Sequence, residues 1–284
     1  MILISSVSAN AFPLKGGANP VITLVSGGGI FAQGKTAYVY FTSSEPNVAI
    51  EGNFQGKYFR AYPYGNKYRA VIGFSIDDPG GKDYYMQAKA KDRAGRSSEH
   101  RYKVHVENSK FGTSSFVLKP KKVQMLMPDV IRADWKKIED VVIRENPEKY
   151  YSGRFVLPTS GRISMTFGLD EFINGAESGK HRGLDFANAE GTPVKASNSG
   201  VVGLSERLPA HGNAVVIDHG QGIFTYYAHL SKILVTVGEK VKKGQVIGLV
   251  GATGVATGPH LHFSISLHNL RVDPKQWLEG VIVD

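Results

Sequence analysis

Thr257-Gly258-Pro259-His260-Leu261-His262-Phe263 lies near the end of a 284-residue chain, and the reading of the fold turns on it. In an extended backbone an H-x-H pair puts both imidazoles on one side of a sheet, about 7 Å apart along the strand. Leu261 then points the other way, into a core. One histidine can bind a metal while its neighbour faces a reacting group. The glycines of Gly251–Gly258 permit close backbone approach, as the wall of a cleft requires. Working back along the chain, strict alternation in Thr225-Tyr226-Tyr227-Ala228-His229-Leu230-Ser231 predicts that Thr225, Tyr227 and His229 share a face. Further back, Lys180-His181-Arg182-Gly183-Leu184-Asp185-Phe186 carries a histidine and an aspartate four residues apart. That spacing shares a face in a strand or a helix, and the glycine and the β-rich surroundings favour a strand or loop. One imidazole and one carboxylate then converge on a single cation. The chain has no cysteine, so a metal site must be built from His, Asp and Glu, and no thiolate can act as nucleophile.

The C-terminal half predicts short strands at Ile163–Phe167, Pro193–Ala196, Gly200–Leu204, Ala214–Asp218, Ile223–His229, Gln245–Val250 and His262–Leu267. All but two of the nine histidines fall in residues 151–284. Among them, His211 and His219 read as structural and His268 as a solvated loop residue. Residues 119–150 read as a helical connector. Pro128-Asp129 is a helix start with Asp129 available as cap, apolar residues recur from Val130 to Val142, and Asn146-Pro147 marks the end. Residues 13–118 read as an immunoglobulin-like β-sandwich that binds or positions. Its strands alternate in runs such as Thr36–Thr42, Tyr68–Ile76, Tyr84–Lys91 and Arg101–Val106. His100 and His105 are isolated and read as structural. The whole is an all-β, two-domain chain with a helical connector and a C-terminal antiparallel sheet domain at 151–284. In residues 1–12, an apolar run ends in Ala9-Asn10-Ala11, the form of a truncated signal segment or of a first β-strand.

Hydrophobic residues make up 42% and charged residues 21%, an ordinary globular balance that excludes a disordered chain. No stretch approaches 18 uninterrupted apolar residues, which excludes a multi-pass membrane protein and any stable helical span. The net charge of +9 is concentrated early: +6 in residues 1–118, +2 in 119–150 and +1 in 151–284. Such an excess attracts an anionic polymer or surface: nucleic acid, an acidic cell-wall glycan or an anionic membrane. Nucleic-acid motifs are absent, so nucleic acid is not expected as a partner. Gly27-Gly28-Gly29 lacks the strand–helix unit of a phosphate loop. Val237–Gly251 resembles lipoyl and biotinyl carrier domains in its glycine spacing, but it lacks their hairpin-tip lysine flanked by Met or Asp.

Four segments taken together resemble the lysostaphin/LytM-type zinc metalloendopeptidases, which cleave peptidoglycan cross-bridges. They are H-x-x-x-D at His181–Asp185, G-N-x-V-x-x-x-H-G at Gly212–Gly220, Y-x-H-L at Tyr227–Leu230, and T-G-x-x-T-G-P-H-L-H-F at Thr253–Phe263. The resemblance covers about residues 155–275 and implies a duplicated-hybrid-motif-like sheet domain. It implies one Zn2+ held by His181, Asp185 and His262, with His229 and His260 as the catalytic pair. His260 is then the base or shuttle, and His229 the orienter and oxyanion donor. Tyr227 is expected to help hold the tetrahedral intermediate and Asn213 to hold the substrate backbone. The substrate implied is a peptidoglycan peptide, at an extracytoplasmic location, with the basic N-terminal domain contacting an anionic wall surface. The alternative is a catalytically silent scaffold or activator of cell-wall amidases. Related enzymes carry pro-segments, and removal of residues 1–150 is expected to raise activity.

Overall fold

The computed structural model describes residues 19–144 and 146–280. The segment at 1–12 lies outside the described residues. Contacts divide the chain into two compact units, Met1–Ser109 and Lys110–Asp284.

In the first unit, seven strands form one antiparallel sheet. Their order is Ile22–Gly29, Thr36–Ser43, Lys67–Gly73, Lys57–Tyr64, Ala49–Phe54, Lys82–Lys91, Ser97–Val106. Alternation decides the faces: along Lys82–Lys91, Met86, Ala88 and Ala90 are buried between exposed neighbours. Phe41, Phe54, Phe59, Phe74 and Tyr102 fill the interior. The expected sandwich takes the form of a single sheet whose two outer strands meet. The Tyr102 hydroxyl donates to the Ile22 carbonyl at 2.9 Å, and the Glu107 N–H donates to the Phe31 carbonyl at 2.8 Å. These contacts give the sheet a barrel-like form.

The second unit is built on an eight-stranded antiparallel sheet. Seven strands follow the order Lys240–Val241, Gly200–Leu208, Gly212–Gly220, Ile223–Leu230, His260–Leu267, Leu184–Ala187, Arg162–Met165, and Leu270–Val272 pairs with His260–Leu267. A smaller sheet joins Pro193–Lys195, Val246–Leu249 and Lys232–Ile233. Thr113–Phe116 pairs in parallel with Asp170–Ile173, which in turn pairs with Ala176–Lys180. Residues 113–116 therefore lie within the second unit, ahead of the boundary read at 118.

The connector helix spans Pro128–Val142, with Pro128 in its first turn. Asp129 does not cap it: Met127 is the N-cap, without a side-chain bond, and Asp129 lies exposed in the first turn. The helix ends four residues before Asn146, and Pro147 disfavours helix at the residue before it. Ile138, Val141 and Val142 pack with Leu204, Leu208, Val216, Phe224 and Tyr226 in one buried cluster. The helix is thus part of the second unit's core. Truncation at residue 150 removes these side chains and is expected to lower activity, which reverses the expectation drawn from pro-segments.

The opposite face of the main sheet is closed by a buried polar chain. The His219 Nδ1–H donates to the Ser199 carbonyl at 2.7 Å, and Nε2 lies 2.8 Å from the Thr225 hydroxyl. Phe155 packs on its ring at 5.1 Å. Burial pushes the His219 pKa down from 6.5 to about 4. The folded state therefore holds His219 neutral while the unfolded chain takes up a proton below pH 6.5. Stability is retained above pH 6.5 and falls as pH drops toward 4, by up to about 3 kcal/mol. Urea melts of the parent between pH 7.5 and 4 should show this loss, and His219→Gln should flatten it. Parallel pH profiles for the two proteins would contradict the assignment.

Candidate metal centre

Antiparallel register brings the centre together. Asp185 sits directly opposite His262, and Ala187 opposite His260, so all four share one face of the sheet. Leu261, opposite Phe186, is fully buried on the other face. His181 precedes its strand and is positioned by its own backbone: its N–H donates to the Leu169 carbonyl at 2.8 Å, and its carbonyl accepts from Gly168 at 2.7 Å. Gly183 allows the close approach. A Cβ there would lie 2.7 Å from His262 Cε1 and 2.6 Å from the Phe263 carbonyl oxygen.

Three donor atoms converge. His181 Nε2 lies 3.0 Å from Asp185 Oδ1 and 3.1 Å from His262 Nδ1, and His262 Nδ1 lies 2.8 Å from Asp185 Oδ1. The Nδ1–H of His181 donates to the Thr166 carbonyl at 2.9 Å, which leaves the Nε2 lone pair facing the cluster. Two imidazoles and one carboxylate within such reach of one another suit a divalent cation. Burial raises the Asp185 carboxyl, but hydrogen bonds from His181 and His262 outweigh it and hold the group well below the usual carboxylate range. Burial lowers His262 to about 4 despite the same carboxylate. At His181 the carboxylate outweighs burial and raises the ring's pKa. The anionic Asp185 and the neutral His262 are forms that ligate metal, and His181 ligates once its ring gives up the proton that the carboxylate favours.

His229 and His260 flank the donors, their rings 4.8 Å apart, and the His229 ring lies 6.2 Å from that of His262. The Nδ1–H of His229 donates to the Thr253 carbonyl at 2.8 Å, and that of His260 to the Gly258 carbonyl at 2.9 Å. Among the described residues neither Nε2 has a hydrogen-bond partner. His260 Nε2 lies 3.7 Å from Asp185 Oδ2. Burial, with His260 and His262 nearby, pushes the pKa of His229 well below 6.5.

The structure corrects the alternation read along Thr225–Ser231. The backbone of His229 is left-handed, φ 62°, which ends the two-residue period and turns the ring toward His262. Tyr227 faces the opposite side, fully buried against Phe263, with its hydroxyl accepting the Ser197 N–H at 2.8 Å. It cannot touch an intermediate at the donors. The neighbour on the centre's face is Tyr226, whose ring lies 6.0 Å from that of His262. The Asn213 amide donates to the carbonyls of Leu230 and Ser231 at 2.9 and 3.1 Å. Its donors hold the loop after His229 and are not free for substrate.

The sequence also left Asp134 unread. This buried helix carboxylate accepts from the Ala210 and His211 N–H groups at 2.8 and 3.2 Å, and from His211 Nδ1 at 2.9 Å. The His211 carbonyl in turn accepts the His229 N–H at 3.0 Å. An aspartate between Ile131 and Ile138 on an apolar stripe was the available signal. Within 119–127, Lys122 Nζ donates to the carbonyls of Ala252 and Ala256, in the loop before His260.

Residues 179–274 match the model of peptidase family M23. The second unit belongs to this family. Over 85 residues, 30% of the chain, it is 55% identical to the peptidoglycan DD-endopeptidase ShyA of Vibrio cholerae. Over 94 residues, 33% of the chain, it is 47% identical to the DD-carboxypeptidase/endopeptidase Mpg of Neisseria meningitidis. The matched segments span only 20% and 22% of those two relatives. A crystal structure from Pseudomonas aeruginosa assigned to peptidase M23 superposes over 89% of this chain and 96% of its own. It is 29% identical, with a TM-score of 0.67. Among the described residues, no helix is long and apolar enough to cross a membrane.

Gly183→Ala should weaken metal binding by about tenfold or more, because the added methyl displaces His262. Competition with a chromogenic chelator reads this directly. An unchanged affinity would show that the ring can move without cost.

Proposed function

We propose that this chain is a zinc-dependent endopeptidase that hydrolyses peptide cross-links of bacterial peptidoglycan outside the cytoplasm. One observation carries the reading: a three-donor cluster shares a sheet face with two histidines whose Nδ1 atoms are tied and whose Nε2 atoms are free. His181, Asp185 and His262 would hold the ion. When bound with one position left to solvent, zinc polarises a carbonyl and lowers the pKa of water to about 7.

The remaining chemistry falls to this chain's side chains. His229, kept neutral by burial, presents Nε2 as a proton acceptor. His260 Nε2, within ion-pair distance of Asp185, suits a proton carrier to the leaving amine. This reverses the division of roles expected from the resemblance, since a neutral His229 with its proton on Nδ1 has none at Nε2 to donate to an oxyanion. The left-handed backbone of His229 fits a site that holds a strained residue for function. The family relatives named for peptidoglycan cleavage support the substrate, and the +6 charge over residues 1–118 suits an anionic wall. A silent activator of amidases would need neither free Nε2.

The test combines metal analysis with mass spectrometry of wall digests. We expect one zinc per chain and new peptide ends, both lost on chelation. His229→Ala and His260→Ala should each retain zinc and lose about a hundredfold or more in rate. Zinc binding without cleavage of any wall preparation would contradict the reading and leave the activator.

A further inference from the structure

Neither histidine of the flanking pair is fixed by its strand alone. His229 donates its backbone N–H to the His211 carbonyl at 3.0 Å and its ring Nδ1–H to the Thr253 carbonyl at 2.8 Å. His260 donates its ring Nδ1–H to the Gly258 carbonyl at 2.9 Å and its backbone N–H to the Gly251 carbonyl at 3.0 Å. Two loops, 209–213 and 251–258, therefore hold the pair, and they are joined to each other. The Val255 N–H donates to the Ala210 carbonyl at 2.7 Å, and the Asn213 N–H to Thr253 Oγ1 at 3.0 Å. The crossing leaves no room for extra atoms. A Cβ at Gly254 would lie 2.4 Å from the Ala210 carbonyl oxygen, and one at Gly212 2.3 Å from Thr253 Oγ1.

Both loops are tethered to residues 119–142. Asp134 is 1% exposed, and its Oδ2 alone accepts from the Ala210 N–H, the His211 N–H and His211 Nδ1. Lys122, ahead of the helix, donates its ammonium to the carbonyls of Ala252 and Ala256. A buried carboxylate is costly, and an apolar residue at 134 would pack helix on sheet with less penalty. An apolar residue could not grip two successive peptide N–H groups. Burial raises the Asp134 carboxyl, but hydrogen bonds from His211 and Ala210 outweigh it and hold the group below the usual carboxylate range. Asp134 thereby fixes the carbonyl that holds the left-handed backbone of His229. A residue other than glycine keeps such a conformation only where its surroundings over-determine it.

We propose that Asp134 and Lys122 are positioning residues, which hold the loops that set His229 and His260 beside the metal donors. The inference rests on the endopeptidase reading and names what aligns the proton-transfer pair of that same site. The tether bears on the pair and not on the donors, which are held to one another across Leu184–Ala187 and His260–Leu267. Metal binding should survive its loss while turnover falls.

The zinc-loaded full chain is assayed on a soluble cross-linked wall peptide. The nearly isosteric Asp134→Asn, and Lys122→Met, which keeps the stem, should each lower kcat by about tenfold or more, with KM and zinc content unchanged. That loss lies within the range a misplacement of about 1 Å produces. Lys122→Arg, which can still donate to both carbonyls, should recover the rate to within about threefold. Ile138→Val is the packing control: it trims a core contact of the same helix and should leave kcat unchanged. Parent-like kcat in both tether variants would overturn the proposal. So would an equal loss in Ile138→Val, which would leave the helix a packing element alone. Lys122→Met, at a half-buried side chain, decides the case where Asp134→Asn does not fold. Should the parent cut no peptide, the endopeptidase reading fails by itself. Amide hydrogen exchange of the zinc-loaded chain then decides the tether. The His229 N–H should exchange about tenfold faster in Asp134→Asn or Lys122→Met than in Ile138→Val, and equal rates would overturn it.

Discussion

The centre depends on one cross-strand opposition, Asp185 against His262, and on the hydrogen bond of 2.8 Å between them. A buried carboxylate is tolerable only when its lone pairs are engaged, and here His181 and His262 both reach the same oxygen. The register that makes this pair also places His260 on the same face. A slip of one residue would send all three strand residues to the core side and Leu261 to the site. Register is held by the apolar counterparts: Phe186 lies opposite Leu261, and Leu184 opposite Phe263, all buried.

Around this pair the unit uses its two sheet faces differently. One face is the ordinary core, where Tyr227, Thr225 and His219 satisfy one another with Ser197 and Ser199. The other face holds the metal donors at one end and the connector helix at the other. Asp134 is the link between helix and centre. It binds the loop at Ala210–His211, whose carbonyl fixes the backbone of His229. The helix therefore acts as a structural wall of the site, with Trp135 stacked on Arg271 as its second contact.

Much of this was legible in the sequence because it follows from local period. The H-x-H strand, the H-x-x-x-D spacing and the apolar stripe from Val130 to Val142 each state a face without tertiary help. Where the period fails, the reading fails with it. His229 adopts φ 62° because Thr253 and His211 hold its backbone and ring, and both partners are distant in sequence. One local signal was present and passed over. Asn174-Gly175, with φ of 52° and 83°, forms the two-residue turn of the hairpin Asp170–Ile173/Ala176–Lys180, and Asn-Gly is a strong mark of that turn. Asp134 was a second such signal, since it interrupts the apolar stripe between Ile131 and Ile138. Arg271 was unreadable for another reason: nothing local to it distinguishes an exposed charge from a buried one, and only the packing of helix on sheet does.

X-ray absorption at the zinc edge of the loaded protein tests the central claim most directly, because it counts ligands by element and distance. The account predicts four nitrogen or oxygen neighbours at about 2.0–2.2 Å, two of them showing the outer-shell scattering of imidazole, reduced to one in His262→Ala. A six-oxygen shell, or a spectrum unchanged by that substitution, would contradict it.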